Sequence, residues 1–323
     1  MKITMKDVAK KAGVGVGTVS RVVNGVKVKA STYEKVHAAI ESLNYEPDEY
    51  ARGLKTNRSN TIALIIPTIW HPFFSKFAYY VEEALSEKKY KLYLCNADGR
   101  PEKEAEYIQM NKQNKVDGII AITYSDIDQF ISSNLPLVSI DRHFSDEVAY
   151  VVADNYRGGQ IAANKLIEFG CHNLAYIGGT SPYPNETNDR KAAFYEVCKK
   201  NHFPVKILDM PEPISDLHEQ LNHFLSINSE IDGIFTINDF MALNVIKVMK
   251  QFGKTAPKDY QIIGFDGVKM ACETDYVVST IVQPLKEMAE ASVEILLKKI
   301  FNEPTEQRVV FPVHFHSGGT TIL

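Results

Sequence analysis

Four short polar clusters each follow a continuous apolar run: Asp141-Arg142, Gly178-Gly179, Asn238-Asp239 and Asp266. Carboxylates accept paired hydroxyl hydrogen bonds and a guanidinium donates in a fixed fork, so this set suits a polyhydroxylated ligand. Trp70, Phe73 and Phe74, just after the first apolar run, offer an apolar face for ring carbons, and His71 between them reads as a hydrogen-bonded loop histidine. This is binding chemistry rather than catalysis. No G-x-S-x-G, H-E-x-x-H or G-K-[ST] motif occurs, and Gly13-Val14-Gly15-Val16-Gly17 lacks both the G-x-G-x-x-G spacing and a preceding strand. No catalytic residue, cofactor or metal site is expected, and the chain is not read as an enzyme.

The elements that must position these clusters alternate from Thr61 onward. TIALII, YKLYLC, GIIAI, LVSI, NLAYI, GIFTI and QIIGF read as strands, with helices near 73–88, 102–114, 188–201 and 239–252. Continuous apolar strands alternating with amphipathic helices predict parallel sheets covered on both faces. Val116-Asp117-Gly118-Ile119-Ile120-Ala121-Ile122 is echoed by Ile231-Asp232-Gly233-Ile234-Phe235-Thr236-Ile237, and each is followed by a strand ending in aspartate, at Asp141 and Asp266. The body is therefore read as two similar lobes. Ligands of open α/β sheets bind beyond the carboxyl ends of the strands, which places the polar clusters in a cleft between the lobes.

The first two dozen residues are built differently. Thr4 with Asp7 predicts a capping box, the apolar residues Val8, Ala9 and Ala12 share one face, and Gly13 ends a helix over 5–12. Val14, Thr18, Val19, Val22 and Val23 give a second helix after a glycine turn, with Ser20 and Arg21 facing out. Ser31 to Glu34 predicts a capping box for a third helix carrying Val36, Ala39, Ile40 and Leu43, which Pro47 breaks. Two helices across a glycine turn read as helix-turn-helix, whose second helix enters the DNA major groove. The charge balance agrees: the first 60 residues hold 11 lysines and arginines against 6 acidic residues, while the remainder holds 25 against 34. A basic head concentrates near phosphates and an acidic body does not.

With 323 residues, 45% hydrophobic and 24% charged, the chain has the composition of about two globular domains. It shows no signal-peptide h-region and no membrane-length apolar run, so a cytoplasmic location and no membrane partner are expected. Cys95, Cys171, Cys198 and Cys272 lie far apart and read as reduced, structural thiols.

The ordered combination Asp7-Val8-Ala9, Ala12-Gly13-Val14, Thr18-Val19-Ser20-Arg21-Val22-Val23-Asn24, Leu43-Asn44-Tyr45, Pro47 and Ala51-Arg52-Gly53-Leu54 resembles the LacI/GalR family of bacterial transcriptional repressors over essentially the whole chain. The resemblance implies an all-α helix-turn-helix head over 1–46, a hinge helix over 47–60, and a periplasmic-binding-protein-like α/β core over 61–323. Lobe one would span about 61–154 and 285–308, lobe two about 155–283 and 309–323. It implies a homodimer on a palindromic operator, with Leu54 wedging a base step and Thr4, Val16, Gly17, Thr18, Ser20, Arg21, Asn24, Tyr45, Ala51 and Lys55 as the remaining DNA-binding set. Gly15 and Gly17 depart from the family's usual side chains there. In the core it implies effector contacts from Phe74, Asp141, Arg190, Asn238, Asp266 and Gln283, beside the Trp70, Phe73, Arg142 and Asp239 already singled out.

Ile140-Asp141-Arg142 with Asp154-Asn155-Tyr156-Arg157-Gly158-Gly159 is similar to the sucrose and ribose repressor branch, which favours a sugar effector. The expected function is a DNA-binding repressor whose operator affinity a small sugar controls. Two alternatives are a catabolite-control regulator using a phosphocarrier protein as co-repressor and a sugar-binding transport protein, the latter opposed by the DNA-binding head. The chain ends without the leucine-heptad helix that makes tetramers in some members, so a dimer is expected.

Overall fold

The computed structural model describes residues 3–45, 58–113, 115–131, 135–145, 147–271 and 273–322. These form two compact units, 1–59 and 60–323. Residues 47–57 of the hinge expected over 47–60, with Ala51, Leu54 and Lys55, lie outside the described residues, as does Cys272.

The head consists of α1 (Met5–Ala12), α2 (Val16–Val23) and α3 (Ala30–Leu43). The backbone N–H and hydroxyl of Thr4 both donate to the Asp7 carboxylate, at 2.9 and 2.6 Å. These bonds fix the start of α1 and hold the Asp7 carboxyl below the usual carboxylate range. Gly13, at φ 69°, ends α1 in the left-handed conformation that glycine adopts without a Cβ penalty. Val8, Ala9, Val19, Val22, Val36 and Ala39 close the small core. The box expected from Ser31 to Glu34 does not form: α3 starts two residues earlier, with Lys29 as an N-cap that makes no side-chain cap bond. The helix ends at Asn44 in the left-handed region, before Pro47 is reached.

The core contains two six-stranded sheets. The first, in the order β2 (Lys91–Asn96), β1 (Thr61–Ile66), β3 (Gly118–Ile122), β4 (Leu137–Ile140), β5 (Ala149–Ala153) and β11 (Arg308–Phe311), is entirely parallel. The second repeats that order with β7 (Val205–Pro211), β6 (Leu174–Thr180), β8 (Gly233–Thr236), β9 (Gln261–Asp266), β10 (Ser279–Val282) and an antiparallel edge strand β12 (His314–His316). The helices are α4 (Pro72–Glu87), α5 (Pro101–Lys112), α6 (Asn155–Glu168), α7 (Asn188–Lys200), α8 (Leu217–Ile227), α9 (Asp239–Gln251) and α10 (Leu285–Ile300). Alternation along β1 shows why the strands are apolar throughout. Ile62, Leu64 and Ile66 join the cluster under α4 and α10, while Ala63 and Ile65 join the opposite cluster with Ile108 of α5.

The chain passes between lobes three times: after β5 at Asp154, after β10 at Gln283-Pro284, and between β11 and β12. The last passage falls after Phe311, whereas the expected boundary lay at 308/309. The stretch from Arg308 to His316 forms two short strands in different sheets, divided at Pro312.

The close packing of α6 depends on two glycines, Gly159 against α7 and Gly158 against the second sheet. A Cβ at Gly159 would lie 2.2 Å from the Arg190 carbonyl oxygen, and one at Gly158 would lie 2.4 Å from the Phe265 ring. Backbone cannot yield as a side-chain tip can, so Gly159→Ala should destabilise the core by about 1–3 kcal/mol. Denaturant unfolding followed by circular dichroism checks this, with an unshifted core transition as the contrary result.

Candidate functional site

A cavity of about 240 Å³ lies between the two sheets. This is below the roughly 300–1,000 Å³ of drug-sized ligand sites and suits a ligand of one sugar ring. Its walls come from the carboxyl ends of strands in both lobes. From the first lobe come His71, Phe73 and Phe74 after β1, Tyr124 after β3 and Asp141 after β4. From the second come Gly179 and Ser181 at the end of β6, Glu212 after β7, Ile237 and Asn238 after β8 and Asp266 at the end of β9.

Arg190, from the first turn of α7, ties these ends together. Its Nε donates to Asn155 Oδ1 and its Nη1 to the Ile237 carbonyl, both at 2.7 Å. The guanidinium lies 3.6 Å from Asp266 Oδ1 and stacks 3.6 Å above the Phe265 ring. Asn155 Nδ2 donates in turn to Asp141 Oδ1 at 3.5 Å and to the Ala153 carbonyl at 3.1 Å. Gln283 Nε2 donates to Asp266 Oδ1 at 2.9 Å. Asp141 and Asp266 adopt φ of 56° and 106°, a conformation uncommon for residues with a Cβ and one that clusters at ligand sites.

His71 caps α4, with Nδ1 accepting from Phe73 N at 3.3 Å. That bond puts the proton of the neutral ring on Nε2. Nε2 faces Asn238 Nδ2 at 3.5 Å, and the Asn238 oxygen is committed to capping α9 through Met241 N at 2.8 Å. Two donors therefore face each other across the cleft, an arrangement that a ligand oxygen accepting from both would resolve. The His71 ring also lies 5.2 Å from Phe74 and 5.4 Å from Phe240 of the other lobe.

Of the ten residues expected at the ligand, six line the cavity: Phe73, Phe74, Asp141, Arg190, Asn238 and Asp266. The other four do not. Trp70 is 90% exposed on the loop before His71, beyond the wall. Arg142 turns away beneath the first lobe, donating to Asp128 Oδ1 at 2.6 Å and lying 4.3 Å over Phe144 and 5.5 Å from the second lobe's Tyr183. Asp239 is fully buried behind Asp266, accepting from Val268 N at 2.7 Å, so it anchors the loop after β9. Gln283 supports Asp266 without lining the cavity. Sequence reasoning missed Tyr124, Ser181, Asn185, Thr187 and Glu212. Tyr124 and Glu212 follow β3 and β7 directly, so the strand-end rule could have found them had β7 been recognised.

In the head, Thr4, Val16, Gly17, Arg21 and Asn24 are exposed along with Lys6, Lys10, Lys11, Lys27 and Lys29, and Thr18 and Ser20 are half-buried. Asn24 Nδ2 donates to the Ser20 carbonyl at 2.7 Å, finishing α2. Tyr45, expected at DNA, is 7% exposed inside the head core, where its ring packs against the three helices. Gly15 and Gly17 have open space where a Cβ would stand and need no left-handed backbone.

A helix-turn-helix head joined to a two-lobed, strand-end ligand cleft defines a ligand-responsive DNA-binding regulator. Residues 62–304 match the periplasmic binding protein domain, and residues 4–48 match the lacI family of bacterial regulatory proteins. The chain is 34% identical over 325 residues to the sucrose operon repressor of Pediococcus pentosaceus, covering 99% of this chain and all of the relative. It is 35% identical over 308 residues to the ribose operon repressor of Halalkalibacterium halodurans, covering 94% and 92%. A solved periplasmic binding protein/LacI transcriptional regulator from Alkaliphilus metalliredigens, complexed with D-xylulofuranose, superposes at TM-score 0.72 and 29% identity over 82% of this chain and all of that one. The lac repressor dimer bound to operator shares the fold at TM-score 0.84 and 23% identity over both full chains. The chain belongs to the lacI family of bacterial regulatory proteins and is a DNA-binding regulator, not an enzyme.

Two outcomes are expected. Gly17→Ala should stabilise α2 by about 0.4–1 kcal/mol, because it removes chain entropy at a site that admits a Cβ. Slower hydrogen exchange of the α2 amides checks this, and unchanged exchange contradicts it.

The second concerns pH. Burial first, offset by the Arg190 charge, raises Asp141 to about 6 and Asp266 to about 7 from 3.8. Over that window the folded chain holds protons that the unfolded chain has lost, so these two groups erode stability as pH rises from about 4 to about 7. His71, lowered from 6.5 to about 4 by burial first and Arg190 second, acts in the opposite sense. In Asp266→Asn, core stability should rise more steeply, or fall less, between about pH 5 and 7 than in the parent. Denaturant melts at the two pH values would show parallel behaviour if Asp266 were already ionised.

Proposed function

We propose that the chain represses transcription in the cytoplasm as a homodimer on a palindromic operator, and that a small sugar held between the core lobes sets its operator affinity. The observation that carries this reading is the cavity itself. Asp141 and Asp266, one from each lobe, stand beside the Arg190 fork, with Phe73 and Phe74 as an apolar face. Such a set meets hydroxyl edges and ring carbons together. The sucrose and ribose operon repressors among its relatives support the same ligand class. Because groups of both lobes line the cavity, a ligand there favours whichever lobe arrangement lets both sets reach it. Binding to DNA and to ligand is then reciprocally linked.

An operator selected from a random DNA pool provides the assay. One sugar of a panel should change operator affinity by roughly 5–150-fold, and operator should change the affinity for that sugar by the same factor. Arg190→Ala should abolish the response while the head still binds DNA. An operator affinity that no carbohydrate moves contradicts the reading, and one that rises only with a phosphocarrier protein assigns control to a protein co-repressor.

A further inference from the structure

The cavity is unevenly charged. Asp141, Asp266 and Glu212 line it against the single guanidinium of Arg190. The arginine that would have restored the balance, Arg142, is spent on Asp128 outside the wall. Lys76 is the other cation near Asp266, and its ammonium is directed at the Gly267 carbonyl at 3.4 Å. Lys191 is paired with Asp209 away from the wall.

Glu212 differs from the two aspartates. Asp141 and Asp266 are held by Asn155, Gln283 and Arg190. The Glu212 carboxylate is raised by burial alone, with no hydrogen bond or charge partner acting on it. Its place in the wall depends on Gly179, where a Cβ would approach Oε1 to 2.4 Å. The backbone has thus left room for a carboxylate that no protein group satisfies. A partly buried carboxylate without a partner is costly and gains most from a charged donor. Among the described residues no group of three or more His, Cys, Asp and Glu is arranged to hold a metal ion, so the missing charge belongs to a ligand.

Resting on the sugar-site reading above, we propose that the effector is a small amino sugar or related polyhydroxylated amine. Its ammonium group lies against Glu212, its hydroxyls lie on Asp141 and Asp266, and one of its oxygens accepts from His71 and Asn238. The same charge pattern disfavours a phosphorylated sugar, since its anion would face three carboxylates with only Arg190 to receive it.

The test uses isothermal titration of the full chain with matched pairs: D-glucosamine and D-glucose, D-galactosamine and D-galactose, D-mannosamine and D-mannose. One amine should bind at least about tenfold tighter than its hydroxyl partner, the scale of one charge-assisted hydrogen bond. Glu212→Gln should remove that preference, so that the amine and its neutral partner bind within about twofold of each other. Gly179→Ala displaces the carboxylate through a flexible side-chain tip and should also reduce the preference, with thermal melts verifying that both variants fold. A neutral sugar binding as tightly as its amine, or a preference that survives Glu212→Gln, overturns the proposal and leaves the sugar-repressor reading standing. Failure of every amine and every neutral sugar to bind overturns both.

Discussion

One buried guanidinium organises the core. Arg190 reaches from α7 to the end of β8, to Asp266 at the end of β9, and through Asn155 to Asp141 of the other lobe. A buried cation needs a counter-charge and filled donors, and here its partners are the residues that face the cavity. Removing it would leave two buried carboxylates without compensation, so fold and site share one electrostatic support. Gly159 serves it by letting α6 approach α7 closely enough for Asn155 to meet the guanidinium, and Gly158 by letting α6 approach Phe265, the ring beneath the guanidinium.

The two sheets, with the same strand order, present their carboxyl ends to the same space. This geometry brings together groups from seven strand ends and the helix that carries Arg190, which are far apart in sequence. Burial then keeps Asp141 and Asp266 close to neutral pH in their titration, so they can offer either a proton or a lone pair to a hydroxyl. The opposed donors of His71 and Asn238 add a position for a ligand oxygen that bridges the lobes. A ligand is thus matched by both lobes at once, the condition under which occupancy can bias one lobe arrangement over another.

Much of this was legible in the residues. The head's helices follow from Thr4-Asp7, Gly13 and the valine spacing, and the central strands from uninterrupted apolar runs buried on both faces. One edge strand was harder to see: β7 is largely exposed, and the apolar content of VKILDMP does not stand out from its loops. Missing β7 hid Glu212. Arg142 and Asp239 were misplaced for a different reason. Adjacent residues at a strand end point in opposite directions, so of Asp141-Arg142 and Asn238-Asp239 only the first member of each reaches the cavity. Sequence gives the pair, but only the backbone path gives the side. Tyr45 carries a DNA-family motif position yet packs inward, because a small three-helix head needs its aromatic for core volume.

The central claim is that a carbohydrate-like ligand occupies the cleft at the strand ends gathered by Arg190. Crystals of the protein grown with a mixed library of sugars and amino sugars test it most directly. The account predicts density for one ring between the lobes, with its polar atoms within hydrogen-bonding distance of Asp141, Arg190 and Asp266 and its carbons against Phe73 and Phe74. A cleft holding only water while a library member occupies another surface would contradict it.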